Sequence, residues 1–326
     1  MNHVYIGDKK FDISNNQTYI MGILNVTPDS FSDGAKYNSI DTALKQVERM
    51  IDEGASIIDI GGESTRPGYK QISVNEEIDR VIPVIEQIKQ RFDIPVSIDT
   101  YKYQVAEAAC KAKADMVNDI WGLLYEQTYQ YVYEDVVSKK DKVCKVSFEK
   151  DKDAKVLWTE TDIYKEYAKK TTNMAKVIAK YGVSVCMMHN DEKSMESRDI
   201  NIVINRLKQS IEMAVKGGID KEKMLIDPGI GFAKSYMDNL YVMKNADKLH
   251  SLEVPILLGV SNKSMIGIAT DTQVEDRMVG SVVAAIYGVI KGCNFIRVHD
   301  VAAHKKALDM IMAIENCGHD LSEILK

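Results

Sequence analysis

The 326-residue chain is long for an ordinary domain and short for two large ones, but it suits one α/β barrel, which needs ~250 residues before insertions. Hydrophobic (45%) and charged (28%) fractions are those of a globular protein, which excludes a disordered or fibrous chain. A net charge of −6 argues against a nucleic-acid or anionic-membrane binder, while leaving room for a local basic pocket.

Five cysteines (Cys110, Cys144, Cys186, Cys293, Cys317) are scattered and never in C-x-x-C spacing. A disulfide framework or structural zinc site is not expected, and a reducing compartment is. The N-terminus lacks an apolar signal-peptide core, and no apolar run approaches the ~20 residues that span a bilayer. The expectation is a soluble, cytoplasmic protein.

In chain order, Val4 to Ile6 and Phe11 to Ile13 flank Gly7-Asp8-Lys9 and read as a hairpin, suited to plugging the bottom of a barrel. Short, nearly continuous apolar runs follow: Tyr19 to Leu24, Ser56 to Ile60, Pro95 to Ile98, Met116 to Ile120, Val183 to Met188, Met224 to Ile226, Pro255 to Gly259 and Asn294 to Val298. Such runs fit parallel strands buried on both faces. Helical patterns lie between them: Thr42 to Glu53, Asn75 to Arg91, Tyr103 to Lys113, Asp199 to Lys216, Gln273 to Lys291 and Ala302 to Asn316. Ser73-Val-Asn-Glu76 reads as a capping box opening the second of these. Eight strand–helix alternations predict one (β/α)8 barrel spanning residues 1–326. Residues 125–170 break the rhythm: 20 of these 46 residues are charged and six are Tyr. This insertion after the fourth barrel strand reads as a solvated surface excursion, with Lys142 to Phe148 and Ala154 to Thr159 as a candidate hairpin.

Barrel chemistry sits on the loops that follow the C-terminal strand ends. Here those ends are polar throughout: Asn25 through Asp33, Asp59 through Arg66, Asp99-Thr100, Asn118-Asp119, His189-Asn190, Asp227, Ser261 through Ser264, and Arg297 through Asp300. Any one could be a cap or turn residue. Eight together at one rim point to a site. Asp99, Asn118 and Asp227 offer acceptors and an amide to a flat heterocycle with a donor-rich edge, and Arg297 offers a planar cation to stack on it. Thr65, Arg66, Lys263 and His299 suit phosphate oxygens, and Asn25 with the nearby carboxylates suits Mg²⁺ held through oxygen atoms and water. Met188, at a strand end, suits the wall of an aromatic pocket. The dinucleotide fingerprint, the P-loop and G-x-S-x-G are all absent.

These residues carry a family resemblance. Met21-Gly-Ile-Leu-Asn25-Val-Thr-Pro-Asp-Ser-Phe-Ser-Asp33-Gly34 and Gly54-Ala-Ser-Ile-Ile-Asp59-Ile-Gly-Gly-Glu-Ser-Thr65-Arg-Pro67 resemble the first two signatures of dihydropteroate synthases. Asp227-Pro-Gly-Ile-Gly-Phe-Ala-Lys234, Ser261-Asn-Lys-Ser264 and Arg297-Val-His-Asp300 are similar to the later ones, in family order. The resemblance covers residues 17 to 122 and 173 to 316. It implies a TIM-barrel transferase of folate biosynthesis, joining p-aminobenzoate to 6-hydroxymethyl-7,8-dihydropterin pyrophosphate with release of pyrophosphate and 7,8-dihydropteroate. By the same resemblance, Asp99, Asn118, Asp227 and Lys263 meet the pterin edges, and Met188 and Arg297 flank its faces. Asp99, Lys263 and Arg297 are the catalytic candidates. Asn25 binds Mg²⁺, and Asn25, Thr65, Arg66, Arg297 and His299 surround the pyrophosphate. Phe31, Thr65, Pro67, Phe232 and Ser264 form the p-aminobenzoate pocket. The family also implies a homodimer.

Asn262 stands where the family usually has Arg, Ala35 and Ala233 replace frequent glycines, and the loop Asn190-Asp-Glu-Lys lacks a common Met-x-Gly run. These departures bear on the second substrate more than on the pterin. The competing readings are a catalytically inactive pterin-binding barrel and a methyltetrahydrofolate:corrinoid methyltransferase.

Overall fold

In the computed structural model, residues 1–14, 17–27, 36–63, 71–127, 170–191, 194–195, 197–315 and 317 are described, residues 36–39 for their backbone alone. The chain opens with β1 (His3–Ile6) and β2 (Lys9–Asp12), an antiparallel hairpin. Parallel strands and helices then alternate: β3 (Tyr19–Asn25), α1 (Lys36–Asp52), β4 (Ile57–Gly61), α2 (Val74–Arg91), β5 (Val96–Asp99), α3 (Tyr103–Lys111), β6 (Met116–Asp119), α4 (Asn173–Tyr181), β7 (Ser184–Met188), α5 (Ile200–Gly217), β8 (Met224–Asp227), α6 (Tyr236–Lys244), β9 (Leu257–Leu258), α7 (Ser264–Thr270), α8 (Met278–Ile290), β10 (Phe295–Val298) and α9 (Val301–Glu315). The eight-stranded sheet runs β8-β7-β6-β5-β4-β3-β10-β9. A parallel bridge between Ile226 and Ile256 brings its two edges together, and the Ile226 N–H donates to the Pro255 carbonyl at 3.0 Å. The result is the expected α/β barrel of the TIM type.

Period-two alternation along each strand sorts side chains between two cores. Outward residues such as Ile58, Ile60, Ile98, Val117, Val185, Ile226 and Ile296 pack against the helices. At the lower interior, Met21, Ile57, Met116, Cys186, Leu225, Leu257 and Phe295 pack against Val4, Ile6 and Phe11 of the hairpin. The hairpin therefore plugs the barrel as expected, and Ser184 ties it down by donating to the Tyr5 carbonyl (2.6 Å). With the bottom filled by apolar groups, polar inward side chains have only the upper end left to occupy.

The capping box of α2 is half formed. Ser73 caps Glu76 N–H (3.2 Å), but the Glu76 carboxylate is taken by Arg80 (2.5 Å), its i+4 neighbour. The complete box is at α6, where Ser235 and Asp238 reciprocate.

The two ends of the 125–170 segment meet. Gln127 Nε2 donates to the Lys170 carbonyl (3.1 Å), and the buried Glu126 carboxylate accepts from Asn173 and Met174 N–H (2.7 and 2.8 Å), capping α4. The candidate hairpin at 142–159 lies outside the described residues. Because the root closes on itself, replacing residues 128–169 with a short Gly/Ser linker should leave a folded barrel with near-normal kcat. Circular dichroism and steady-state rates check this, and a large kcat loss with the fold retained would give the segment a direct part in the reaction.

Candidate active site

The polar interior is stacked above the apolar plug. Asp59 is wholly buried in β4, and its Oδ2 accepts from Arg297 Nε (2.5 Å) and Asn118 Nδ2 (3.1 Å). Arg297, on β10, also donates through Nη2 to Asp99 Oδ2 (2.6 Å) on β5. One planar guanidinium thus bridges two carboxylates from strands 238 and 198 residues away in sequence. The barrel brings them together because strand alternation turns all three side chains inward, and β10, β4 and β5 lie within four consecutive strands of the sheet.

Burial raises the Asp99 carboxyl to about 7, an effect that Arg297 opposes and the Asp59 and Glu77 carboxylates reinforce. The Asp59 and Asp99 carboxylates drive Arg297 the other way, further above its already high value. Asp59 Oδ1 and Asp99 Oδ1 are buried without a hydrogen-bond partner among the described residues. Two buried, unfilled acceptors on carboxylates bridged by one guanidinium fit a ligand whose edge carries N–H donors.

Across the barrel, Asp227 ends β8, and its Oδ1 accepts from Gly229 N–H (2.6 Å). Burial raises its carboxyl, with Gly229 and the Lys263 and Arg297 charges opposing. Gly229 has φ +68°, and a β-carbon there would fall 2.0 Å from the His189 carbonyl oxygen, so the turn requires glycine. Lys263 follows β9, with its ammonium 4.3 Å from the centre of the Phe232 ring. Met188, buried at the end of β7, packs with Tyr101, Ile120 and Phe232 into an apolar wall beside the polar cluster.

Asn25, Ser264 and His299 lie at the rim, at the end of β3, the first residue of α7 and just after β10. His299 Nδ1 lies 2.9 Å from Ser261 Oγ. A β-carbon on Gly61 would stand 3.6 Å from Asn25 Oδ1 and 3.9 Å from Asp99 Oδ2, so two hard oxygen donors flank that glycine. Phe31, Thr65, Arg66 and Pro67 lie outside the described residues, as does Ala35.

A family model described as "Pterin binding enzyme" matches residues 21–168 and 161–299. A dihydropteroate synthase of Clostridium beijerinckii is 46% identical over 306 residues, covering 94% of this chain and 97% of the relative. The chain belongs to the dihydropteroate synthase family. Among solved structures, the Clostridium difficile synthase determined in the presence of pteroic acid superposes with a TM-score of 0.74 at 42% identity, covering 91% of this chain and 97% of that one. The Xanthomonas albilineans synthase with 4-aminobenzoic acid gives 0.77 at 34% identity, covering 96% and 98%.

Two departures from the synthase pattern fall on left-handed backbone. Ala233 has φ +46° and Asn262 φ +57°, a region that costs an L residue other than Asn or Asp about 1 kcal/mol. Asn262 suits it. Its N–H donates to Ser281 Oγ (2.9 Å), and its carbonyl accepts from Arg277 Nη1 (3.1 Å), so a guanidinium does stand at this turn, brought from the start of α8. Asp59 and Lys234 are the residues of this site that motif reasoning did not single out. Asp59 reads as one more buried strand residue until its partners are known.

Proposed function

We propose that the rim cluster of this dihydropteroate synthase binds the pterin by its edges and the second substrate above it, Asp99, Asn118, Asp227 and Lys263 meeting the pterin, with Met188 and Arg297 on its faces. The observation that carries this reading is the pair of buried, unpartnered oxygens on Asp59 and Asp99, held by one guanidinium. Such acceptors are costly unless a ligand supplies donors.

The reaction joins p-aminobenzoate to 6-hydroxymethyl-7,8-dihydropterin pyrophosphate. The aniline nitrogen bonds to the pterin methylene carbon as the carbon–oxygen bond to pyrophosphate breaks, and the nitrogen then loses a proton. Charge developing on the pterin is met by the fixed Asp99 carboxylate, which needs no reorganisation. The leaving anion is met by Thr65, Arg66, Arg297 and His299. An aniline is neutral at pH 7, so no side chain need act as general base. Phe31, Thr65, Pro67, Phe232 and Ser264 hold the aromatic acid, with Phe232 supported by the Lys263 ammonium.

Mg²⁺ fits the rim through Asn25. Its amide oxygen is a hard donor, and Asp99 Oδ2 flanks the same glycine, Gly61. A cation held there mainly by water and phosphate oxygens would neutralise the leaving group. Asn25→Ala should raise the Mg²⁺ concentration for half-maximal rate several-fold; an unchanged metal titration would remove Asn25 from that site.

No helix among the described residues is long and apolar enough to cross a membrane, and small substrates with a reduced thiol inventory suit a cytoplasmic enzyme. A homodimer fits the apolar face of α8, where Val279, Val283 and Ile290 are each more than 60% exposed and Met310 and Ile314 of α9 extend the patch. Sedimentation should give a dimer that Val283→Glu converts to monomer. The assay for the reaction itself is pyrophosphate release on mixing the chain with both substrates and Mg²⁺. A methyltransferase or an inactive barrel releases none.

A further inference from the structure

Lys234 lies seven residues beyond Asp227, outside every role given above. Its half-buried side chain turns back under the loop that follows β8. Its Nζ donates to the carbonyls of Gly229 (2.9 Å) and Phe232 (3.0 Å) and lies 2.8 Å from His189 Nδ1. Burial and the neighbouring Lys234 and Arg206 cations push His189 down to about 2, so its ring is neutral and Nδ1 is the acceptor. An ammonium has three protons, and all three are used.

What this tripod holds matters. Gly229 is the residue whose N–H fixes Asp227 Oδ1, and Phe232 is the ring beneath Lys263. His189 N–H is in turn bound to the Asp227 carbonyl (2.8 Å), and Gly231 N–H to Asn239 Oδ1 (2.7 Å). The loop therefore has one cation at its centre, with the residue for the pterin edge at one end and the residue for the second substrate at the other. We propose that Lys234 is a positioning residue of the synthase reaction, setting Asp227 and Phe232 in one register so that both substrates meet correctly. This rests on the placement of the two substrates argued above.

The charge matters, because a neutral amine has two donors and keeps its third contact only if the His189 ring moves its proton to Nδ1. Burial lowers the Lys234 ammonium to about 7 from its usual range, with Lys263 adding to the effect and Asp227, Asp238 and Asp191 opposing it. Those carboxylates, His189 and Lys263 are the titratable groups facing it, from the ends of β7, β8 and β9 and from α6. Since the value is depressed, the cationic form is lost as pH rises through about 7, and the register is lost with it.

Lys234→Met keeps the aliphatic stem and removes the donors. It should weaken the pterin substrate at least tenfold by calorimetry and raise the KM for p-aminobenzoate at least fivefold. Lys234→Arg, whose charge does not titrate in this range, should recover part of both. In the unmodified enzyme, pterin affinity should change between pH 6 and pH 9 with both Lys234 and Asp99, and the Met variant should lose the Lys234 part of that dependence. Wild-type constants and an unchanged pH profile in the Met variant overturn the proposal, whatever its melting temperature does. Should that variant not fold, a flat profile in the unmodified enzyme overturns it. Asp227→Asn separates the two levels: if it leaves pterin affinity unchanged, the substrate placement fails; if it weakens binding while Lys234→Met does not, the pin alone fails.

Discussion

Arg297→Met should cost the enzyme both its activity and much of its stability. The guanidinium bridges Asp59 and Asp99 at 2.5 and 2.6 Å, and Asp59 is wholly buried. Removing one partner from a buried ionic cluster costs roughly 3–5 kcal/mol, because the carboxylates left behind are neither solvated nor paired. The loss has a pH signature. Asp99 is raised to about 7 by burial even with the arginine beside it, and without that charge it must rise further. A carboxyl held above its unfolded value keeps its proton in the folded state, so stability falls as pH rises through the window between the two values. Urea titrations should therefore show a variant closer to the parent at pH 5 than at pH 8. Turnover should drop at least ~1000-fold, since ~4 kcal/mol of charge stabilisation is lost. A variant whose stability gap does not widen with pH would mean that the two carboxylates are not held by this residue.

Asp227→Asn is the second large effect, and it separates binding from folding. The shape is retained, and Oδ1 can still accept from Gly229 N–H. The other atom becomes a donor facing the donor-rich edge of the pterin, which leaves buried groups unpaired at roughly 1–3 kcal/mol or more. Calorimetry should record a fall of at least ~10-fold in pterin affinity, each tenfold being ~1.4 kcal/mol. The folded protein gains slightly, because burial already disfavours this carboxylate. A variant with a steady or raised melting temperature and wild-type pterin affinity would take Asp227 off the pterin edge.

The barrel was legible because its strands are short, continuously apolar runs alternating with helical patterns along the chain. Strand boundaries moved by a residue or two, α1 starts six residues before Thr42 and α8 five after Gln273, and β9 shrank to Leu257–Leu258, where one parallel neighbour and a single bridge carry the pairing. Three helices among the described residues were not anticipated. For α6, YMDNLYVMK has apolar residues on all sides, so its periodicity is weak, and its start is marked by a box closed with Asp238 rather than Glu. For α7, seven residues with a central Gly267 give too short a window. α4 begins where the charged insertion ends; Thr172 caps it locally, but the carboxylate that takes its first two N–H groups, Glu126, comes from 47 residues earlier in the chain. Long-range partners also hid Asp59 and Lys234. Both sit in motifs that the sequence displays, but a wholly buried carboxylate is recognisable only by the guanidinium that neutralises it, and a tripod of acceptors only once the loop has folded around its lysine. By contrast Asp99 and Asp227 were legible because each is a polar residue closing an apolar run, and Asn118 and Arg297 because each is a polar residue next to last in a strand, which marks the rim of a barrel.

A structure of the chain with 6-hydroxymethylpterin bound tests the central claim most directly. The account predicts the ring lying between Met188 and Arg297, with its N–H edge within hydrogen-bond distance of Asp99 and Asp227 and Asn118 completing the contact. A pterin seated anywhere else, or a bound ring that leaves the Asp99 oxygen still unpartnered, would contradict it.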